Sequence, residues 1–344
     1  MSIKIECTNE APLDWDSWNR STVAHSSYYQ SSSWADVLKK TEESKPYYVR
    51  IYQNGFLNAQ VLIMKRFYYN LFTGKKKIIL PYIECLFGPI CKEQVDSSVY
   101  VAFLKMIKKI AYRNMATYIQ YIPCYMHMLP RFDKTAVLMD NDFVTKKWGT
   151  FLVDLAPDED LIFKKISSRA RNRVRKAGKM GVSVRRMETY EEFANIFIPT
   201  LQAAKKEQGF VAYPAHEALW SDSKEGYHYY VAYADDTPLG CIGLIVHNGV
   251  SREISSGILG FSVQKKYPAQ DILHWTLITE SKRLGAKYYD LAGVNPSPEE
   301  KSKDASILFF KKKWGGSYLE YPMAKFDLIP KKDKLAKIAA KLLS

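Results

Sequence analysis

The stretch from Pro268 to Gly316 constrains this chain most. It reads P-A-Q-D-I-L-H-W-T-L-I-T-E-S-K-R-L-G-A-K-Y-Y-D-L-A-G-V-N-P and closes on F-F-K-K-K-W-G-G. The order predicts a helix, a buried strand, a polar loop and a second helix ending on a glycine pair. Pro268 suits the helix entrance, where a missing N–H costs nothing. Ile272, Leu273, Trp275, Leu277, Ile278 and Leu284 recur at helical spacing and form a broad apolar face. Gly285 marks the stop, and Lys287 to Leu291 runs directly into a strand.

The same order of elements is expected twice. In the later half, Tyr227 to Ala234 and Leu239 to His247 read as strands joined by D-D-T-P. Asn248-Gly249 is a two-residue hairpin signal, and Ser251 to Val263 completes a three-stranded meander ahead of the helix. In the earlier half, Pro46 to Gln53 and Phe56 to Tyr69 flank a second hairpin signal, Asn54-Gly55. Lys77 to Ile90 is a third extended segment, followed by a helix from about Val95 to Arg113 and a strand from Thr117 to Ile122. Meander, helix and strand recur without evident sequence identity. The fold class expected is α+β: two tandem domains, each a mixed, mainly antiparallel sheet flanked by helices.

A length of 344 residues and a hydrophobic content of 47% accommodate two cores. No uncharged apolar run approaches the ~18 residues of a membrane span. The N-terminal M-S-I-K-I-E-C-T-N-E lacks the apolar core of a secretion signal, so a cytoplasmic protein is expected. Cys7, Cys85, Cys91, Cys124 and Cys241 are odd in number and form no C-x-x-C pair, which predicts reduced thiols and no zinc site. The six histidines show no i, i+4 metal pair, and no glycine spacing matches a phosphate-cradling or dinucleotide loop. Neither a metal nor a cofactor is expected.

Charge is the next strong signal. The formal net charge is +14, and Lys164 to Arg186 holds ten basic residues and no acid. The segment follows P-D-E-D, whose acids suit a helix N-terminus, and its helix is expected to end near Gly178 and Gly181. Ile162, Ile166, Ala170, Val174 and Ala177 form a buried stripe, with Arg169, Arg173 and Lys176 beside it. A one-sign helix points to a polyanion, either nucleic acid or a lipid diphosphate, the alternative being a solvated face.

The run S-S-R-A-R-N-R-V-R-K-A-G-K-M-G-V, then D-I-L-H-W, G-A-K-Y-Y-D-L-A-G-V and F-F-K-K-K-W-G-G resembles the Fem family of aminoacyltransferases. That family builds the peptide bridges of bacterial peptidoglycan. Weaker matches lie in Y-Y-Q-S-S-S-W-A-D-V-L-K, around Gln30 and Trp34, and in Phe87-Gly88-Pro89-Ile90. The resemblance implies two GNAT-like domains, 1–148 plus 317–344 and 149–316, in the compact form without a helical arm. It implies aminoacyl-tRNA as donor and an amine on a lipid-linked or nucleotide-linked cell-envelope precursor as acceptor. An amine attacking an activated ester needs no protein nucleophile, so catalysis rests on proximity and oxyanion stabilisation. Lys311 matches the family's oxyanion-stabilising lysine, and Phe310 would position the donor by stacking. Arg169, Arg173 and Lys176 are candidates for donor phosphates; Trp34 and Lys39 are candidates for substrate contact. Tyr213 either shapes a pocket or fills a core. Asp290, at a strand end, is a candidate proton acceptor or simply a loop anchor. Lys312 and Lys313 are expected to face solvent or RNA.

Three positions depart from the family pattern. Ile122-Pro123 replaces an Asp-Pro pair, Glu207 stands for an arginine before Gly-Phe, and Phe87 for an arginine before Gly-Pro. At the place where GNAT enzymes cradle the coenzyme A pyrophosphate, this chain reads V-Q-K-K-Y-P-A-Q-D, without glycine and with Asp271 expected to repel phosphate. Two alternatives stay open: an acyl-CoA-dependent N-acyltransferase of polysaccharide or envelope biosynthesis, and a non-catalytic nucleic-acid-binding protein on this fold. The terminal K-K-D-K-L-A-K-I-A-A-K-L-L-S reads as a basic amphipathic helix, suited to packing on the first domain or to peripheral membrane contact.

Overall fold

The computed structural model describes residues 2–67, 81–93, 95–125, 133–207, 219–220 and 226–328. Tyr213 and the terminal basic segment after 328 lie outside these residues, as do positions 68–69 and 77–80 of the expected extended segments. The first half comprises β1 (Ile3–Thr8), α1 (Trp15–Thr22), a 3-10 turn (Tyr28–Gln30), α2 (Ser32–Glu42), β2 (Lys45–Gln53) and β3 (Phe56–Arg66). It continues with β4 (Tyr82–Gly88), β5 (Ile90–Cys91), α3 (Ser97–Arg113), β6 (Tyr118–Pro123) and α4 (Lys134–Asp140). The second half begins with β7 (Val144–Asp154), α5 (Glu159–Lys165), α6 (Ser168–Lys179), β8 (Val182–Arg186), α7 (Tyr190–Glu192), a π turn (Phe193–Phe197) and α8 (Ile198–Glu207). It ends with β9 (Gly226–Ala234), β10 (Thr237–His247), β11 (Val250–Ile258), α9 (Gly260–Gln264), α10 (Ala269–Arg283), β12 (Tyr288–Asp290), α11 (Lys303–Lys312) and β13 (Ser317–Asp327).

The strands form one sheet in the order β1-β2-β3-β4-β6-β13-β7-β12-β11-β10-β9-β8, with β5 beside β3. The fold is α+β, with two tandem GNAT-like sheets fused edge to edge. β13 is the joint: Ser317 to Lys325 pair with β7, and Ala324 to Asp327 pair with β6. Both hairpin signals close as read. Asn54-Gly55 and Asn248-Gly249 each place two successive residues at positive φ, which the tight turn between antiparallel strands requires.

Two expectations need correction. The basic segment is not one helix. It breaks at Ile166, whose extended backbone turns the chain, and the Ser167 hydroxyl then caps α6 by accepting from the Ala170 N–H. Its last residues, Val182 to Arg186, form edge strand β8 against β9. The strand expected to reach Val263 stops at Ile258, and Gly260 to Gln264 form the short helix α9.

Each half has its own core. In the first, Val99, Phe103, Ile107 and Ile110 of α3 pack on Val49, Ile63, Ile83 and Ile119 of the sheet. In the second, Ile162, Ile166, Ala170, Val174 and Ala177 keep their stripe across the break and meet Leu273, Leu277 and Trp314. The opposite face of the second sheet buries Tyr227, Tyr229 and Val231 against Phe193, Phe197 and Leu201, as the two-residue period of β9 demands. Tyr28 and Val37 of the first half join that cluster, so the halves share buried surface. The β10–β11 turn docks as well: Asn248 Nδ2 donates to Ser26 Oγ at 2.9 Å. None of the five cysteines forms a disulfide; four are buried and Cys7 is exposed. No described helix is long and apolar enough to cross a membrane.

Candidate active site

β11 and β12 run parallel for only three residue pairs, Val250 with Tyr288, Ser251 with Tyr289 and Arg252 with Asp290. Beyond that they part, and the split receives Glu253 from β11, Gly293 from the loop after β12 and Lys311 from α11. The Ser302 hydroxyl caps α11 by accepting from the Ala305 N–H. Ile307 and Leu308 pack on the second core, and Trp314 anchors the helix end fully buried. Lys311 lies one turn after Ile307, so it shares the inward face. It is only 8% exposed. Its Nζ sits 3.1 Å from Glu253 Oε1 and donates to the Gly293 carbonyl at 3.3 Å. Gly293 passes so close to Trp148 that an added Cβ would lie 2.3 Å from the indole nitrogen.

Glu253, with 14% of its side chain exposed, accepts a second partner. His274 of α10 places Nε2 2.7 Å from Glu253 Oε2 and Nδ1 2.9 Å from the Gln270 carbonyl. Burial alone would raise the Glu253 carboxyl, but the Lys311 charge and the His274 hydrogen bond hold it down at about 2. The imidazole stacks on Trp314 at 5.6 Å and meets the edge of Phe310 at 4.7 Å.

Phe310 forms the outer wall of this cluster, with Lys313 Nζ 3.9 Å from its ring centroid. Lys313 does not face solvent as expected. It pairs with Asp271, as does Arg173, whose Nε lies 3.1 Å from Asp271 Oδ2. Asp271 is therefore neutralised by two cations, and the repulsion of phosphate expected of it does not hold. Arg171 is used structurally, donating to the Lys164 and Ile166 carbonyls that end α5. Arg169 and Lys176 remain exposed on α6, with Arg169 stacked 5.3 Å over the ring of the exposed Phe309. Lys312 is exposed as expected.

Asp290 lies behind the split, 1% exposed. Its carboxylate accepts from Thr150 Oγ1, Tyr125 OH, the Ala292 N–H at 2.9 Å and Arg252 at 2.8 Å. Arg252 in turn lies under Phe87, 4.8 Å from the ring centroid, and 5.8 Å from that of Tyr29. A fully bonded, buried carboxylate paired to a half-buried guanidinium suits a loop anchor better than a proton acceptor.

Arg252 and Asp290 border a narrow cleft between the halves, lined also by Tyr28, Tyr29, Tyr125 and His247. Tyr29 and Ile245 also line an apolar cavity under α2 and α8. Trp34 lines that cavity beside Tyr29, at 4.9 Å between ring centroids. Lys39 lies on the exposed side of α2, 3.9 Å from Asp36, and not among the lining residues. Gln30 is fully buried and binds the Leu62 and Leu86 carbonyls and the Leu62 N–H, locking the 3-10 turn to the sheet. Thus Lys311, Phe310 and Arg173 gather on one face of the second sheet, while Trp34 stands on the other. Glu253, His274 and Arg252 were missed by sequence reasoning. An uninterrupted S-R-E-I-S in a strand carries no mark of which charges turn inward.

Residues 164–301 match the acetyltransferase (GNAT) domain family. FemX superposes over 97% of this chain and 99% of its own, with a TM-score of 0.71 at 14% identity. The fold is that of FemX. A tandem GNAT protein from the clavulanic acid biosynthesis pathway covers 96% of this chain and 100% of its own, with a TM-score of 0.57 at 7% identity. The C-terminal domain of a putative lysylphosphatidylglycerol synthetase from Agrobacterium fabrum covers 95% of this chain and 97% of its own, with a TM-score of 0.55 at 13% identity. No curated protein matches the sequence.

Proposed function

We propose that the chain is an acyltransferase of envelope synthesis that moves an amino acid from aminoacyl-tRNA to an amine acceptor. The observation that carries this reading is the Lys311 ammonium, buried where two parallel strands part. On one face of the second sheet, Arg169, Lys176 and the exposed Phe309 offer cations and a stacking surface to RNA, and Phe310 walls the approach to Lys311. On the other, the cleft and cavity beside Tyr29 and Trp34 would take the acceptor. The acceptor nitrogen attacks the ester carbon, forming the C–N bond, while Lys311 holds the negative oxygen of the tetrahedral adduct. Collapse breaks the C–O bond, and the released ribose hydroxyl keeps the proton given up by the amine. The folds shared with FemX and with a lysylphosphatidylglycerol synthetase domain support this donor class.

The GNAT acetyltransferase match favours a second reading, in which the donor is an acyl-CoA. Against it stands the loop before α10. The Gly260 N–H, first of α9, already donates to Glu207 Oε2 at 2.5 Å, and Pro268 removes a donor at the next helix entrance. The test is filter binding to charged and uncharged tRNA pools at about 0.15 M salt, where loose phosphate contacts weaken. Preference for charged tRNA is expected. Equal weak binding, with coenzyme A retained through purification, would replace the donor.

A further inference from the structure

We propose that His274 carries protons on both ring nitrogens and so cancels the charge of Glu253, leaving the Lys311 ammonium uncompensated in the split. This rests on the reading of Lys311 as the oxyanion's partner. A lysine paired with a buried carboxylate is a neutral unit and attracts an oxyanion weakly. The structure resolves this difficulty through the geometry of His274. Nδ1 faces the Gln270 carbonyl at 2.9 Å and Nε2 faces Glu253 Oε2 at 2.7 Å. A carbonyl and a carboxylate only accept, whereas a neutral imidazole has one N–H to give. One of these contacts would then set lone pair against lone pair, so a proton lies on both lines.

Of the two sites for the second proton, the ring is the better one. The Glu253 carboxyl is held far below its ordinary value by Lys311 and His274 despite its burial. The ring also stacks on Trp314, whose face favours a cation. The other charged and titratable groups nearby do not undo this. Lys313 of α11 and Arg173 of α6 both pair with Asp271 of α10, and burial keeps the Tyr289 phenol on β12 protonated. Lysine, glutamate and imidazolium then sum to a single positive charge; with a neutral ring they sum to zero. His274 acts through Lys311 and is a positioning residue, not a catalytic one.

The test is a proton–nitrogen correlation spectrum of the full chain labelled with nitrogen-15 in histidine, recorded at neutral pH. His274 is assigned by comparison with His274→Gln or, should that variant not fold, by through-space contacts to Phe310 and Trp314. Two ring N–H signals are expected in the unmodified protein and one in Glu253→Gln, where the carboxylate that holds the second proton is gone. A single N–H in the unmodified protein, or two that persist in Glu253→Gln, overturns the proposal. The spectrum needs no substrate, so it stands apart from the donor assignment. Where transfer from charged tRNA is measured, His274→Gln is expected to lower kcat about tenfold with little change in KM for the donor. An unchanged kcat would sever the ring's charge from catalysis even if both protons are seen.

Discussion

The two halves repeat one plan and differ at its centre. In the first, the parallel pair β4 and β6 stays joined from Ile83 with Ile119 to Gly88 with Pro123. The ground beyond is filled by neutral phenols: Tyr121 OH lies 2.5 Å from Tyr100 OH and donates to the Gly88 carbonyl at 2.9 Å. In the second, β11 and β12 part after three pairs, and the opening holds a lysine, a glutamate and a histidine. Zipping a parallel pair to its end leaves no room for substrate; parting it early exposes backbone and admits charge. On the proposed function, the first half serves as scaffold and cleft wall, and chemistry falls to the second.

Five variants, one of them followed through an acid titration, test this contrast. Asp290→Asn strands the half-buried Arg252 guanidinium and is expected to cost about 3 kcal/mol in urea unfolding. A stable variant without transfer would instead make Asp290 catalytic. Lys311→Ala is expected to lose about 3 kcal/mol of transition-state stabilisation, roughly a hundredfold in kcat, while donor binding persists. A variant within threefold of full activity removes the split from the chemistry. Acid stability should report Glu253. Its folded value of about 2 lies below the unfolded one, so its contribution is complete above the ordinary carboxylate range and is lost as pH falls toward 2. The expected loss, about 3 kcal/mol, should be absent from Glu253→Gln across the same titration. Tyr121→Phe, the probe of the closed half, should cost about 2 kcal/mol of stability by stranding buried partners, with transfer unchanged. Loss of transfer in a stable Tyr121→Phe would give the first half a chemical role. The smallest effect is expected from Arg169→Ala with Lys176→Ala. The slope of log affinity for tRNA against log salt should fall by about 2 and the affinity at low salt only modestly. An unaltered slope would move the RNA surface elsewhere.

Much of this was legible in the sequence, for identifiable reasons. The periodicities of β9, α3 and the Ile162-to-Ala177 stripe report burial directly, and the Asn-Gly pairs report hairpins. The break at Ile166 was masked because the stripe keeps its spacing across it, although Ser167 in I-S-S-R-A carries a capping signal. Lys311 was reached through its F-F-K-K-K-W-G-G motif, not through any rule of spacing. Its partners Glu253 and His274 are 21 residues apart on a strand and a helix, and only the packing of α10 brings them together. Asp271 was read as a lone acid at a helix start. Two cations, one from α6 and one from α11, converge on it in space while lying far away in the chain.

The strand shared at the centre has a mechanical meaning. Because β13 is hydrogen-bonded to β6 on one side and β7 on the other, no hinge line passes between the halves without breaking a ladder. A molecule built this way has no jaw to close. Its cleft and its lysine are held at a fixed separation by sheet stiffness, so under the proposed function the tethered aminoacyl group would itself supply the reach that brings the reactants together.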